Sequence, residues 1–126
     1  MTSEKTLDLS IVIPLLNEEE SLPELVGSIC SVMGGRSVAF EIVLVDDGSR
    51  DKSFEVIRQL KEKYMPLRAI RFRKNYGKSA ALAEGFRTAR GRYVITMDAD
   101  LQDDPAEIPN LMSKLDEGYD LVSGWK

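Results

Sequence analysis

At 126 residues, with 43% hydrophobic and 30% charged side chains, the chain has the size and balance of a single globular domain that buries a core without disulfides or a structural metal. Seventeen basic against 21 acidic residues give a net charge of −4, which excludes broad nucleic-acid binding through a basic surface. The lone Cys30 and the absence of histidine exclude a disulfide framework and a Cys–His nucleophile, so Cys30 reads as a reduced core thiol and the expected setting is cytoplasmic.

Short solid apolar runs alternate with longer amphipathic stretches, the pattern of strands buried on both faces and joined by crossover helices. The expected class is therefore α/β with a mainly parallel, Rossmann-like sheet. Leu9 to Ile13 reads as a first strand. Leu22, Leu25, Val26, Ile29 and Met33 then share one helical face, with Ser21 and Glu24 spaced as a capping box and Gly34-Gly35 as the stop. Phe40 to Val45 is a second strand, followed by a helix through Phe54, Ile57, Leu60 and Tyr64 that Pro66 closes. Leu67 to Phe72 is a weaker third strand; the helix from about Lys78 to Ala89 carries Ala81 and Gly85, small enough for close packing on a sheet. Gly91 reads as a turn and Tyr93 to Met97 as the fourth strand. Asp104-Pro105-Ala106-Glu107 reads as an N-cap, a proline at the first helical position and an acid in the first turn, opening a helix through Ile108, Leu111, Met112 and Leu115. Gly118 stops it, and Leu121 to Ser123 is a fifth strand. No run of about 18 apolar residues spans a bilayer, and Met1 to Asp8 is polar.

In an open α/β sheet, ligands bind beyond the carboxyl ends of the strands, and the unusual residues fall there. The first strand runs into Pro14-Leu15-Leu16-Asn17-Glu18, the second into Asp46-Asp47-Gly48-Ser49, the fourth into Asp98-Ala99-Asp100-Leu101-Gln102-Asp103. If this last segment stays extended, Asp98, Asp100 and Gln102 direct three oxygens to one side, a donor set suited to Mg²⁺ or Mn²⁺ completed by phosphates and water. Asp51 or Ser49 caps the next helix, whereas Asp46 suits a ribose hydroxyl or a base N–H. From Arg68 to Arg92 the chain is locally basic, with Arg68, Arg71, Arg73, Lys74, Lys78, Arg87, Arg90 and Arg92 against Glu84 alone, either a solvated surface or an anion-facing patch. No glycine-rich dinucleotide motif, P-loop lysine, zinc spacing or Ser-His-Asp set is present.

Five ordered motifs carry a family resemblance: Ser10-Ile-Val-Ile-Pro14, Asn17-Glu18, Glu41-Ile-Val-Leu-Val-Asp46-Asp47-Gly48-Ser49, Asn75-Tyr-Gly77-Lys78 and Met97-Asp-Ala-Asp-Leu-Gln102-Asp103. With their spacing, they resemble the dolichyl- and polyprenyl-phosphate hexose synthases of the second glycosyltransferase family, over Leu9 to Lys126. The resemblance implies a GT-A fold and an inverting, metal-dependent transfer of a hexose from a UDP- or GDP-sugar to an isoprenoid lipid phosphate at a membrane surface. By position it implies that residues 1–126 form the nucleotide-sugar-binding part of the catalytic domain. Pro14, Leu16, Glu18 and Asp46 would lie in the nucleoside pocket, Asp98, Asp100 and Gln102 at the catalytic metal and diphosphate, with Lys78 and Arg73 nearby. A phosphate acceptor is already largely anionic at neutral pH, so the missing histidine is no obstacle. Family members continue past Ser123-Gly-Trp-Lys126 into acceptor-binding and membrane elements, so the expectation is an N-terminal part of a protein working at the cytoplasmic face of a membrane. A homo-oligomer stays open.

Two other readings compete. A signalling receiver domain has the same size and class, but it needs acids after its first and third strands and a lysine after the fifth, whereas here acids follow strands two and four. A non-catalytic nucleotide-binding module would keep the donor site without the transfer.

Overall fold

The computed structural model describes residues 7–116; the expected fifth strand at Leu121 to Ser123 and the stop at Gly118 lie outside them. In chain order the elements are β1 (Leu7–Leu15), α1 (Leu22–Met33), β2 (Phe40–Asp46), α2 (Ser53–Lys63), β3 (Leu67–Arg71), α3 (Lys78–Thr88), β4 (Gly91–Thr96), a 3-10 turn (Pro105–Glu107) and α4 (Ile108–Asp116). The strands form one parallel sheet in the order β3-β2-β1-β4. A receiver-type sheet runs 2-1-3-4-5, so this order removes that reading.

The solid apolar runs have a direct explanation in the register. Leu67, Ile42, Ile11 and Ile95 stand opposite one another across all four strands, and each is at least 97% buried. This row belongs to the large core cluster that takes Leu25, Val26 and Ile29 from α1, Ile57 and Leu60 from α2, and Ile108 and Leu111 from α4. The alternate residues Val12, Val43 and Val45 point to the other face and pack with Ala81 of α3, with Leu82 at the margin. Both faces are therefore covered, and the strands need to be apolar on both sides. α3 lies close to the sheet because Gly85 has no side chain: an added Cβ would meet Val12 Cγ1 at 2.3 Å.

Three local expectations change. Ser21 is helical (φ −87°, ψ −22°) and makes no capping bond, because the Leu22 amide already donates to the Glu18 carbonyl and the first turn starts earlier. Gly91 opens β4 rather than a turn, and β1 runs two residues further at each end than the apolar run. Asp104 does cap the final helical segment, accepting from the Ala106 amide at 3.0 Å. Cys30 is a free, partly buried thiol that packs against the large core, and burial pushes its pKa up, away from thiolate reactivity. Among the described residues no helix is long and apolar enough to cross a membrane.

The amino ends of the strands are tied together by one buried carboxylate. Glu41, 2% exposed, accepts from Ser10 Oγ at 2.6 Å, from Arg68 Nη1 at 2.6 Å and from the Arg90 amide at 2.7 Å. Ser10 in turn accepts from the Gly91 amide, so β1, β2, β3 and β4 all contribute. Burial alone would raise the Glu41 pKa; the hydrogen bonds from Ser10, Arg90 and Arg68 outweigh it and hold the carboxyl below its usual value.

Candidate functional site

At the opposite, carboxyl ends of the strands the chain order reverses: β1 continues to β2 on one side, and β4 returns on the other. This switch point is where open α/β sheets leave a crevice. A cavity of about 410 Å³ occupies it, within the roughly 300–1,000 Å³ range of small-molecule sites. Pro14, Leu15, Leu16 and Glu18 form one wall from the end of β1; Asp98, Ala99 and Asp100 form another from the end of β4. Asp47 after β2 and Asn75, Gly77 and Lys78 before α3 complete it.

Each wall is held by polar residues that leave few alternatives. After β1 the chain turns through Asn17 at φ 57°, a left-handed conformation that asparagine tolerates. Asn17 donates its amide to Ser49 Oγ and accepts from the Arg50 amide, both at 2.8 Å. The Glu18 amide donates to Ser53 Oγ and the Glu19 amide to Asp51 Oδ2. The first two strand-end loops are thus laced together and Asp51 is structural, as expected, but neither it nor Ser49 is the cap of α2: the N-cap position is Lys52, without a side-chain bond, and Asp51 Oδ1 accepts from the Ser53 amide at 2.9 Å. Asp47, 5% exposed, accepts from the amides of Tyr76 and Gly77 and from Asn75 Nδ2. It thereby fixes the entry to α3. Gly48, at φ 79°, fits against the backbone of Lys74 and Asn75, where a Cβ would come within 2.4 Å.

The Asp98–Asp103 segment is not extended. β4 ends at Thr96, the chain turns at Ala99-Asp100, and Leu101 takes φ 67°. Two contacts clamp this turn: Asp103 Oδ2 accepts from the Asp98 amide at 2.8 Å, and Ser21 Oγ lies 2.7 Å from the Ala99 carbonyl and 2.8 Å from Glu18 Oε1. The hydroxyl has one proton to donate between those two acceptors. Asp100 Oδ1 accepts from the Gln102 amide at 3.2 Å.

Of the residues singled out from sequence, Pro14, Leu16, Glu18, Lys78, Asp98 and Asp100 share the cavity. Asp46 and Gln102 do not line it. Asp46 is fully buried, with Oδ1 accepting from the Ser49 amide and Oδ2 buried without a hydrogen-bond partner. It continues the parity of Ile42 and Leu44 toward the α1–α2 face, whereas Asp47 continues that of Val43 and Val45 and reaches the cavity. Gln102 is turned by the Leu101 conformation into a separate hollow with Glu24 and Asp104, so the three-oxygen convergence expected for an extended segment is not formed. Leu15, Asp47, Asn75, Gly77 and Ala99 also line the cavity; all five stand in the strand-end segments or motifs read from the sequence, but none was assigned a site role there.

Lys78 crosses the cavity mouth, with Nζ 2.8 Å from Asp98 Oδ1. Its hydrogen bond to Asp98 is the main cause of a raised pKa; dehydration opposes it, and the fields of Asp98, Asp100 and Asp103 add to it. Lys78 thus sets a positive charge at the cavity mouth. The rest of the basic stretch disperses: Arg68 binds Glu41, Arg87 binds Glu84, Arg71 lies over the Phe54 ring and Lys74 over that of Tyr76. Arg71 and Arg73 line a neighbouring hollow beside Gly48 and Ser49. Among the described residues no three His, Cys, Asp or Glu side chains converge on a metal position. Asp98 and Asp100 supply oxygen donors alone, the chemistry of a hard cation whose other ligands come from elsewhere.

A family model described as Glycosyl transferase family 2 matches residues 10–126. An undecaprenyl-phosphate 4-deoxy-4-formamido-L-arabinose transferase of Pseudomonas savastanoi pv. phaseolicola is 48% identical over 115 residues, covering 90% of this chain and 34% of that protein. The protein of the same name from Salmonella choleraesuis is 45% identical, covering 90% and 35%. The chain thus spans about a third of the length of these relatives. Among solved structures, S. aureus TarS 1-349 superposes with a TM-score of 0.73 at 23% identity, over 88% of this chain and 33% of that one. The mannosyltransferase PcManGT of Pyrobaculum calidifontis, in complex with GDP-Man and Mn²⁺, gives 0.67 at 25% identity, over 79% and 30%. The GT-A expectation is met in the parallel sheet flanked by helices, and the family match across residues 10–126 establishes that the chain belongs to glycosyl transferase family 2.

Proposed function

We propose that this chain forms the donor-binding part of an inverting glycosyltransferase that moves a sugar from a UDP- or GDP-sugar to an isoprenoid phosphate, with Mg²⁺ or Mn²⁺ at Asp98 and Asp100. The observation that carries the reading is the meeting of the β1 and β4 ends in one cavity, with apolar Pro14 and Leu16 on one side and two carboxylates on the other. The apolar wall suits a base and ribose; the carboxylates suit the cation that a diphosphate brings with it. When bound, that cation neutralises the departing diphosphate as a Lewis acid. The chain's own task is then alignment: Asp103 and Ser21 set the Asp98–Asp100 turn, and Asp47 sets the loop that presents Lys78. The Lys78 ammonium adds positive charge toward the phosphates.

The acceptor needs no base, because a phosphate monoester with a second pKa of about 6 is already a nucleophile at neutral pH. The relatives' name supplies undecaprenyl phosphate as the acceptor and a formamido-pentose as the sugar; the sequence motifs resemble hexose synthases. Both share the isoprenoid phosphate, so the proposal commits to the acceptor class and keeps the sugar at a nucleotide-activated hexose or modified pentose. A lipid acceptor calls for work at a membrane surface, and the proposal takes its cytoplasmic face.

Calorimetry with UDP and GDP, with and without Mn²⁺, tests the donor half, and radiolabel transfer to polyprenyl phosphate tests the rest. The expected result is weak, Mn²⁺-dependent binding of one nucleotide and no transfer, since acceptor alignment accounts for roughly 7–11 kcal/mol of barrier lowering. Binding of neither nucleotide refutes the donor site. Efficient transfer by this chain alone refutes the assignment of acceptor alignment to other parts of the protein.

A further inference from the structure

Lys78 holds the same oxygen that the proposed site gives to a cation. Its Nζ lies 2.8 Å from Asp98 Oδ1, and both side chains line the cavity. An ammonium offers three donors and no acceptor, so it and a divalent cation compete for the same carboxylate. The pair is open to water, with side chains 63% and 46% exposed. Pairs this exposed change an equilibrium constant by only about two- to fivefold, so this one yields easily to a stronger ligand. The backbone beside it does not yield: Asp47 ties down the amides of Tyr76 and Gly77, and Lys78 is the first residue of α3. The side chain is the part free to move.

No other cation of the basic stretch is placed to do this. Lys74 lies over the Tyr76 ring, Arg87 is paired with Glu84, and Arg73 lines a different hollow; among the described residues Lys78 is the basic residue on the wall of this cavity. When a cation takes Asp98, the ammonium loses its partner at the moment the diphosphate brings new negative charge beside it.

We propose that Lys78 is exchanged between Asp98 and the donor diphosphate: it occupies Asp98 in the free chain, is displaced by the cation, and then binds the phosphates. The proposal rests on the donor-site reading above. Its consequence is coupling, because the cation alone must displace the ammonium without compensation whereas cation and diphosphate together provide it.

Substitution of Lys78 therefore has effects of opposite sign on the two ligands. Mn²⁺ alone is titrated by electron paramagnetic resonance into the wild-type chain and Lys78→Met, with Lys74→Met as a control for loss of nearby charge; UDP and GDP are then titrated by calorimetry at saturating Mn²⁺. Lys78→Met is expected to bind Mn²⁺ about two- to fivefold more tightly. It is expected to bind the nucleotide about tenfold or more weakly, having lost a charge-assisted hydrogen bond. Lys74→Met should leave Mn²⁺ affinity unchanged. Unchanged or weakened Mn²⁺ binding by Lys78→Met overturns the exchange, as does an equal gain in Lys74→Met or a nucleotide affinity equal to wild type. If neither UDP nor GDP binds to the wild-type chain at saturating Mn²⁺, or binds equally well to Asp98→Asn, the donor-site reading itself falls. Mn²⁺ binding that Asp98→Asn abolishes but Lys78→Met does not change overturns the exchange alone.

Discussion

Replacing Glu41 by alanine should cost the fold about 3 kcal/mol without touching the ligand site. The carboxylate accepts from three donors, and their environments set the magnitude. Ser10 is fully buried and would be left with an unpaired hydroxyl donor, at about 1–3 kcal/mol. The part-buried Arg90 amide adds about 1 kcal/mol. Arg68 adds little, because its side chain is 33% exposed and it keeps the Thr88 carbonyl at 3.1 Å. For a chain of this length, about 3 kcal/mol lowers the melting temperature by roughly 10–15 °C. Thermal melts followed by circular dichroism at several pH values measure it. The Glu41 pKa is held below its unfolded value, so its contribution is fully present above the unfolded value of about 4.3 and is lost as pH falls through the lower folded value. The gap between wild type and Glu41→Ala should therefore be constant from pH 8 to 5 and shrink in stronger acid. Because the network joins the amino ends of the strands, nucleotide affinity below the melting range should be unchanged. A variant that melts within about 2 °C of wild type, or a gap that widens in acid, would refute the reasoning.

Gly85→Ala places a methyl 2.3 Å from Val12 Cγ1, so overpacking of about 1–3 kcal/mol should outweigh the roughly 1 kcal/mol gain in helix propensity. In urea denaturation, adding Val12→Ala should cost less in this variant than in wild type; strictly additive effects would show that the two residues do not collide. Asp103→Ala removes the acceptor of the Asp98 amide and should weaken Mn²⁺ binding about tenfold, while Asp103→Asn, which keeps an acceptor oxygen, should recover most of it. Equal Mn²⁺ affinity in wild type and Asp103→Ala would show that the turn holds its shape without this bond.

The sheet was legible because burial on both faces leaves a strong mark: Ile11, Ile42 and their neighbours form solid runs that few other structures require. The helices were legible from Leu22 to Met33 and Phe54 to Tyr64 by spacing alone. The strand ends were harder, since a period of two holds only while the backbone stays extended. It stops at Thr96, so the shared direction expected for Asp98, Asp100 and Gln102 is broken by the left-handed Leu101. At the end of β2 the parity does persist, but the sequence does not say which face a helix covers and which meets the cavity. Asp46 and Asp47 are therefore adjacent letters with opposite fates. Ser21 illustrates a third limit: its hydroxyl reaches Ala99, 78 positions away, and no local pattern encodes that. The same holds for Lys78 and Asp98, which the β3-to-β4 crossover brings together.

The central claim is that Asp98 and Asp100 serve a cation and not the fold. Asp100→Asn isolates it, because Asp100 is exposed and its one side-chain hydrogen bond among the described residues, from the Gln102 amide, can be kept by an asparagine oxygen. The decisive measurement is Mn²⁺-dependent nucleotide affinity and metal-free melting temperature on the same preparation of wild type and Asp100→Asn. The account predicts that affinity falls at least tenfold while the melting temperature stays level or rises, since one of two neighbouring like charges has been removed. A lowered melting temperature with nucleotide affinity intact would contradict it.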